Sequence, residues 1–255
     1  MQTVSETVGG LMSLENIRSP GSLGSIGPRH DDRSDQDHVR LRRLRATRRV
    51  VPSGPAPRVA TSSSKRLMDI LISATALVVL GPLLLLIALA IRLETRGPAI
   101  FRQRRGGLCG RPFIIYKFRT MSAADDGDDV QHATRQDGRV TSLGAFLRRS
   151  SLDELPQLIN VLKGDMSLVG PRPHALAHDD YYSQRVPSYA DRLQARPGIT
   201  GLAQVSGYRG GIDRLETMAR RVSHDLDYIR NWSFLLDWKI LVMTVVRTPF
   251  DGQAY

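Results

Sequence analysis

Apolar positions cluster in one long uninterrupted block and in several short periodic ones. Residues 70–91 run for 22 positions without a charge. As a straight helix they reach about 33 Å, enough for the hydrocarbon core of a bilayer. Gly81 and Pro82 fall in the middle. Proline removes a backbone hydrogen bond and clashes with the preceding turn, which predicts a kink or break there. Gly97-Pro98 closes the block, and the glycines at 106, 107 and 110 mark a turn before the apolar residues 113–116. Together these predict a β-hairpin. Residues 143–147 and 152–162 read as helical, and residues 212–227 as an amphipathic helix. Residues 191–204 lose any helical pattern after their start, because Pro197-Gly198 and Gly201 intervene. Residues 232–246 are apolar but too short to span a membrane, and they carry Asp237 and Lys239. They predict either a helix lying in the membrane interface or a core helix. The fold class that follows is α+β, mainly helical with a small β-hairpin. It is embedded in a membrane by one re-entrant helix plus interfacial amphipathic helices.

Charge sharpens this picture. The chain has 255 residues, a formal net charge of +11 and 41% hydrophobic side chains. A core is therefore feasible, and a basic chain calls for an anionic partner. Residues 65–120 hold ten basic and two acidic side chains, so the excess surrounds the apolar block. Lys65 and Arg66 precede it; Arg92, Arg96, Arg102, Arg104 and Arg105 follow. The positive-inside rule puts both flanks in the cytoplasm, which one straight crossing cannot satisfy. A re-entrant helix–break–helix satisfies it, and a kinked spanning helix is the other reading. Residues 1–64 are rich in Ser, Gly, Pro and Arg without a period, which predicts a disordered basic tail. Its arginines at 40, 42, 43, 45, 48 and 49 suit anionic lipid or simply solvent, with nucleic acid a weaker third reading. The first residues lack the apolar run of a signal peptide. Residues 65–93 form the membrane segment and 94–255 a cytosolic catalytic domain in this division.

Several chemistries are excluded. Cys109 is the one cysteine, so an internal disulfide and a Cys-rich metal or iron–sulfur site are impossible. No P-loop, dinucleotide-binding glycine motif or H-E-x-x-H zinc motif occurs. The aspartates at 125, 126, 128 and 129 lack the Gly and terminal Glu of a calcium loop and read as a solvated loop. His174 and His178 stand four apart without a third ligand, which favours a structural or substrate-contacting role over a metal pair.

The chemistry concentrates in residues 148–173. Asp153 and Glu154 open a helical run, and Ser151 to Glu154 has the spacing of a capping box. On that evidence alone both carboxylates are structural. Arg148, Arg149, Lys163 and Arg172 surround them in sequence, and Lys117 and Arg119 come from the hairpin. Cations and free amides at a helix start bind a diphosphate well. Within such a site, one carboxylate on Mg²⁺ beside one nucleophile suits phosphoryl transfer.

These residues resemble a known family. KRLMDILISATALVVLGPLLLL, FRQRRGG, KFRTM, SSLDELPQLINVLKGDMSLVGPRP, RPGITGLAQVSG and HDLDYIRNWSFLLDWKILVMT occur in the order and spacing of bacterial sugar transferases. These are monotopic polyprenyl-phosphate phosphoglycosyl transferases, and the resemblance covers residues 65 to about 250. GPRPHALAH is most similar to members that move glucose-1-phosphate or galactose-1-phosphate from a UDP-sugar to undecaprenyl phosphate. The resemblance implies Asp153 as nucleophile, Glu154 as Mg²⁺ ligand, and Arg148, Lys117, Arg119 and Arg172 as phosphate-binding residues. Asp225 resembles a further polar site residue. The implied location is the cytoplasmic face of the inner membrane. Membrane lipids and downstream glycosyltransferases are then the expected partners, and nucleic acid is not one. Gly-Pro stands where the family often has Ser-Pro, and Leu202 where tryptophan is common. Direct glycosyl transfer with release of UDP, and a non-catalytic membrane scaffold, are the rival readings.

Overall fold

The computed structural model describes residues 56–122, 137–210 and 214–247. The arginine block at 40–49 and the aspartates at 125–129 lie outside the described residues. The packed chain begins before the expected end of the tail. Helix α1 (Arg58–Thr61) buries Val59 in the main core, and the Arg196 guanidinium donates to the Ala60 carbonyl at 3.2 Å.

Helix α2 (Ser63–Glu94) follows, capped by the Ser62 hydroxyl, which accepts the Lys65 N–H at 3.3 Å. It runs through Gly81 and Pro82 as one 32-residue helix. The helix is continuous past the proline, which removes its own hydrogen bond within it.

The two halves of α2 meet different surroundings. Lys65, Asp69 and Ser73, spaced by four, form a buried polar stripe against the rest of the protein. Lys65 Nζ pairs with Asp237 Oδ2 at 2.7 Å. The Leu168 N–H donates to Asp69 Oδ1 at 3.0 Å. Arg66 donates to the Val161 and Leu162 carbonyls at 2.6 and 2.9 Å. The two cations read from sequence as a cytoplasmic flank of the membrane segment are committed to internal partners. Beyond them Val78, Val79, Leu85, Leu86, Leu89 and Leu93 are each more than half exposed. The helix is long and apolar enough to cross a membrane by length and composition. An apolar surface of this extent marks a membrane or partner contact.

Strands β1 (Ile100–Gly106) and β2 (Pro112–Phe118) form the expected antiparallel hairpin, in register from Ile100 opposite Phe118 to Gly106 opposite Pro112. Cys109 (φ 53°) and Gly110 (φ 67°) turn the chain in the left-handed region. Phe118 packs with Ile87 and Ile91 of α2 and with Leu147. Helix α3 (Ser142–Ser150) starts with two caps. The Thr141 hydroxyl accepts the Gly144 N–H, and the Glu94 carboxylate accepts the Leu143 N–H.

Helix α4 (Gln157–Lys163) lies against β2. Its buried Asn160 accepts the Tyr116 N–H at 3.0 Å and donates to the Ile114 carbonyl at 2.7 Å. One side chain thus stands in for a neighbouring strand and fixes the height at which β2 presents Lys117.

Strand β3 (Ser167–Val169) pairs in parallel with β4 (Gly198–Thr200). Three-residue strands carry no legible period, so residues 191–204 gave no sign of this ladder. The backbones come so close that a Cβ on Gly198 would lie 2.1 Å from the Gly170 nitrogen. The glycines read as breakers are what let the strands meet.

Helices α5 (Leu176–Ser183), α6 (Leu202–Val205), α7 (Leu215–Arg230) and α8 (Phe234–Arg247) complete the described fold. Val161, Met166, Val169, Tyr189, Met218, Val222, Tyr228 and Ile240 form its centre. Helix α8 has one buried and one exposed side. Asp237 and Ile240 are buried, whereas Leu235, Trp238, Val242 and Val245 are exposed along the opposite side. Trp232 instead donates inward to Asp237 at 3.1 Å.

Candidate active site

Asp153 and Glu154 sit in a 3₁₀ turn, Leu152–Glu154, between α3 and α4. The expected capping box is absent. Ser151 adopts a left-handed conformation (φ 59°), makes no cap hydrogen bond, and accepts one from Arg209 instead. Helix α4 starts only at Gln157, after Pro156. The dipeptide is therefore a tight turn whose two side chains are buried, at 9% and 8% exposure. That burial is costly for two carboxylates and needs cations to offset it.

The cations are present and unequally shared. Glu154 Oε1 accepts from Lys117 Nζ at 2.8 Å and from Arg172 Nη2 at 2.6 Å. Its Oε2 accepts from Arg172 Nη1 at 3.2 Å. Burial alone would raise the Glu154 pKa. Arg172 and Lys117 outweigh it and hold the carboxyl well below its usual range. Asp153 has no such clamp. Burial, then the adjacent Glu154 charge, push its pKa up to about 6, against weaker pulls from Lys117, Arg172 and Arg148. Two neighbouring carboxylates are thus separated by environment into a fixed anion and a more basic, less coordinated one.

The other sequence candidates divide. Arg148, in the last turn of α3, donates from Nε to the Thr120 hydroxyl at 2.9 Å and contributes its charge at Asp153. Arg119 lies at the end of α2, where its Nη atoms donate to the Arg96 carbonyl at 2.9 Å and to the Thr95 carbonyl at 2.8 Å, while its buried Nε has no hydrogen-bond partner. Asp225 is buried on α7 and pairs with Arg192 at 2.8 Å. Arg192 in turn donates to the Arg172 carbonyl at 2.6 Å, so Asp225 acts on the site through the arginine behind it. Arg196 bonds the Gly164 and Ala60 carbonyls, whereas Arg209 reaches Ser151 beside the carboxylates.

His174 precedes α5, and its Nδ1 lies 3.0 Å from Arg192 Nη1 and 2.7 Å from the Tyr189 hydroxyl. Sequence reading missed Arg192, Tyr189 and Asp179, which join His174 in one buried network. Arg192 carries no local motif, and only its tertiary partners reveal it.

Among the described residues no group of three or more His, Cys, Asp or Glu gathers as a metal site. One Mg²⁺ fits the carboxylates in a limited way. Glu154 Oε1 is saturated by two cations, but Oε2 has a single, longer contact. A Mg²⁺ held by one or two carboxylates, water and substrate phosphates needs no more protein than this.

The pH dependence follows from the separation. Glu154 stays ionised throughout, and Asp153 gains its charge as pH rises through about 6. A reaction using the Asp153 carboxylate should show kcat/KM rising about tenfold per pH unit below that point and level above it. A flat profile from pH 4.5 to 7 would remove Asp153 as the titrating group.

A buried carboxylate pair thus sits in a cationic shell, in a chain that also exposes a long apolar helix. The profile of the family described as bacterial sugar transferase matches residues 60–250. A UDP-glucose:undecaprenyl-phosphate glucose-1-phosphate transferase of Caulobacter vibrioides is 60% identical over 204 residues, 80% of this chain and 76% of that protein. A Xanthomonas campestris protein of the same name is 51% identical over 193 residues, 75% of this chain but 40% of that protein. The exopolysaccharide production protein PSS of Rhizobium leguminosarum is 44% identical over 75% of this chain and 98% of its own length. The chain belongs to the bacterial sugar transferase family.

Proposed function

We propose that this protein transfers glucose-1-phosphate from UDP-glucose to undecaprenyl phosphate, releasing UMP, as the first step of exopolysaccharide repeat-unit assembly. The observation that carries the reading is the asymmetry of the pair: Glu154 clamped by Lys117 and Arg172, Asp153 buried beside it without a clamp. The names of the Caulobacter and Xanthomonas relatives support glucose as the sugar.

On this reading an Asp153 carboxylate oxygen attacks the β-phosphorus of UDP-glucose. The bond from that phosphorus to the bridging oxygen breaks, and UMP leaves with the bond electrons. A phosphate oxygen of undecaprenyl phosphate then attacks the glucosyl-phosphoryl group on Asp153, and the carboxylate leaves. One diphosphate linkage replaces another, so no net proton is needed and the reaction is reversible. Arg172, Lys117 and Arg148 neutralise charge on the transferring phosphoryl group without moving. Glu154 Oε2 would hold Mg²⁺, which when bound supplies Lewis-acid charge stabilisation.

The exposed apolar face of α2 fits a re-entrant insertion from the cytoplasmic leaflet of the inner membrane. The outward face of α8 fits the interface beside it. That arrangement delivers a lipid phosphate to a site at the base of α2.

The test is nucleotide release by the detergent-solubilised protein with Mg²⁺, undecaprenyl phosphate and a panel of UDP-sugars. UMP release that requires the lipid and is fastest with UDP-glucose is the expected result. Release of UDP would establish direct glycosyl transfer instead, and preference for UDP-galactose would reassign the sugar.

A further inference from the structure

Three buried nitrogens around Arg172 lack any hydrogen-bond partner: Nε of Arg105, Nε of Arg221 and Nε2 of His174. They come from three separate places in the fold, the end of β1, α7 and the segment after β3. Backbone contacts bring the first to the third. Arg105 bridges Ala175, the Gly106 N–H donates to the His174 carbonyl at 3.3 Å, and Arg105 Nη1 reaches the Pro173 carbonyl at 3.5 Å. Arg221 lies one turn before Asp225 on α7, on the same face. Asp225 is tied through Arg192 to the Arg172 carbonyl.

The two arginine orphans are donors. The role of His174 Nε2 follows the tautomer, because Nδ1 lies 3.0 Å from Arg192 Nη1 and also 2.7 Å from the Tyr189 hydroxyl, which gives its own proton to Asp179. His174 is neutral: burial, then the charges of Arg192, Arg221 and Arg105, lower its pKa well below the ordinary value. Glu154 takes Arg172 and Asp225 takes Arg192. Buried Asp179 acts on Arg105 and Arg192 through space, and its Oδ1 accepts the Tyr189 hydroxyl. Among the described residues no carboxylate forms an ion pair with Arg105 or Arg221. Burial, then the charge of Arg172, pull both of their pKa values down to about 10. An anion there would relieve both strains.

We propose that Arg105 and Arg221, beside His174, form a second phosphate subsite. It adjoins Arg172 and holds the phosphate that is not attacked, the one that leaves with the nucleoside. The assignment rests on the transfer reading given above. A phosphate fits the donor set because its terminal oxygens accept from several directions, whereas a carboxylate offers two oxygens in one plane. A lipid phosphate has the same chemistry, and only kinetics separates the two sources. In a two-step reaction through a covalent intermediate, kcat/KM for each substrate reports its own half.

The experiment uses the full-length protein in detergent, with Arg221→Lys, Arg221→Gln and Arg105→Gln. The lysine keeps the charge and removes the orphan donor. Arg105, being partly exposed, gives a second variant should Arg221 prove necessary for folding. Calorimetry measures binding of UMP and of uridine; steady-state assays vary UDP-glucose and undecaprenyl phosphate separately. The expected result is UMP binding weakened tenfold or more, with uridine binding unchanged. An equal fall in kcat/KM for UDP-glucose and none for the lipid should accompany it. Unchanged UMP affinity in a folded variant overturns the proposal, and so does a fall confined to the lipid substrate. Weakened UMP binding in a protein that shows no transfer at all would leave the subsite standing and sink the transfer reading instead.

Discussion

Asp153→Asn should abolish transfer while making the protein more stable. The amide keeps the shape of the side chain but cannot form the acyl-phosphate bond, so turnover should fall by about 10³-fold or more. The stability gain has a separate origin. The folded-state pKa of Asp153 is raised to about 6 from an ordinary 3.8. The folded protein therefore holds a proton at pH values where the unfolded chain has released it, and ionisation of Asp153 works against folding. That penalty is absent below about pH 4, grows as pH rises toward 6, and is complete above it. A neutral asparagine removes it, a gain of up to about 3 kcal/mol at neutral pH. Thermal unfolding should show the variant's advantage at pH 7.5 and its disappearance at pH 4. Incubation with UDP-glucose labelled in the sugar should mark the wild-type protein and not the variant. Full turnover in Asp153→Asn would end the nucleophile assignment. Lost turnover together with lost stability would mean that the aspartate is a structural cap.

Chemistry was more legible in the sequence than connectivity. Asp153, Glu154, Arg148, Lys117 and Arg172 announce themselves by lying in short charged runs at turn or strand positions, and the fold gathers them as that pattern implies. The hairpin and four of the helices were readable because each is long enough to show a period. The β3–β4 ladder was not, because three residues show none and its glycines look like breakers. The partners of Arg119 were not legible for a related reason. Its neighbour in the pattern, Lys117, faces Glu154, but Arg119 follows the last residue of β2 and turns to the end of α2. Lys65 and Arg66 look like membrane-flanking cations until their partners, 172 and 95 residues away, are in view. Arg192 and Arg221 carry no sequence signal, and His174 was legible only through its spacing from His178 and its place in GPRPHALAH. Their meaning lies in which carboxylates they have and which they lack, and only the folded chain sets that.

Lys65→Met should unfold the protein more readily than any surface change, and should slow transfer as well. Lys65 Nζ and Asp237 Oδ2 meet at 2.7 Å, with side chains 5% and 0% exposed. Methionine matches the stem of lysine and removes the charge. Asp237 then keeps only the Tyr228 hydroxyl at 2.7 Å and the Trp232 N–H at 3.1 Å. Breaking one side of a buried pair costs about 3–5 kcal/mol, because the other charge stays behind in a poor solvent. In a protein of this size that lowers Tm by about 10 °C. Replacing both, as Lys65→Met with Asp237→Leu, should recover much of the loss, since a packed apolar pair needs no such compensation. The effect on turnover has a structural route. Asp237 orients Tyr228, and Tyr228 also donates to the Val169 carbonyl at 3.0 Å. Val169 ends β3, three residues before Arg172, and Arg172 holds Glu154. The foot of the apolar helix is therefore wired to the arginine that sets the charge of the site. Thermal unfolding in detergent, paired with kcat at a temperature where the variant is folded, checks both halves. A Lys65→Met protein within about 1 kcal/mol of wild type would mean that the Lys65–Asp237 pair does not hold α2 to α8. Normal kcat in a destabilised but folded variant would cut the route through Tyr228.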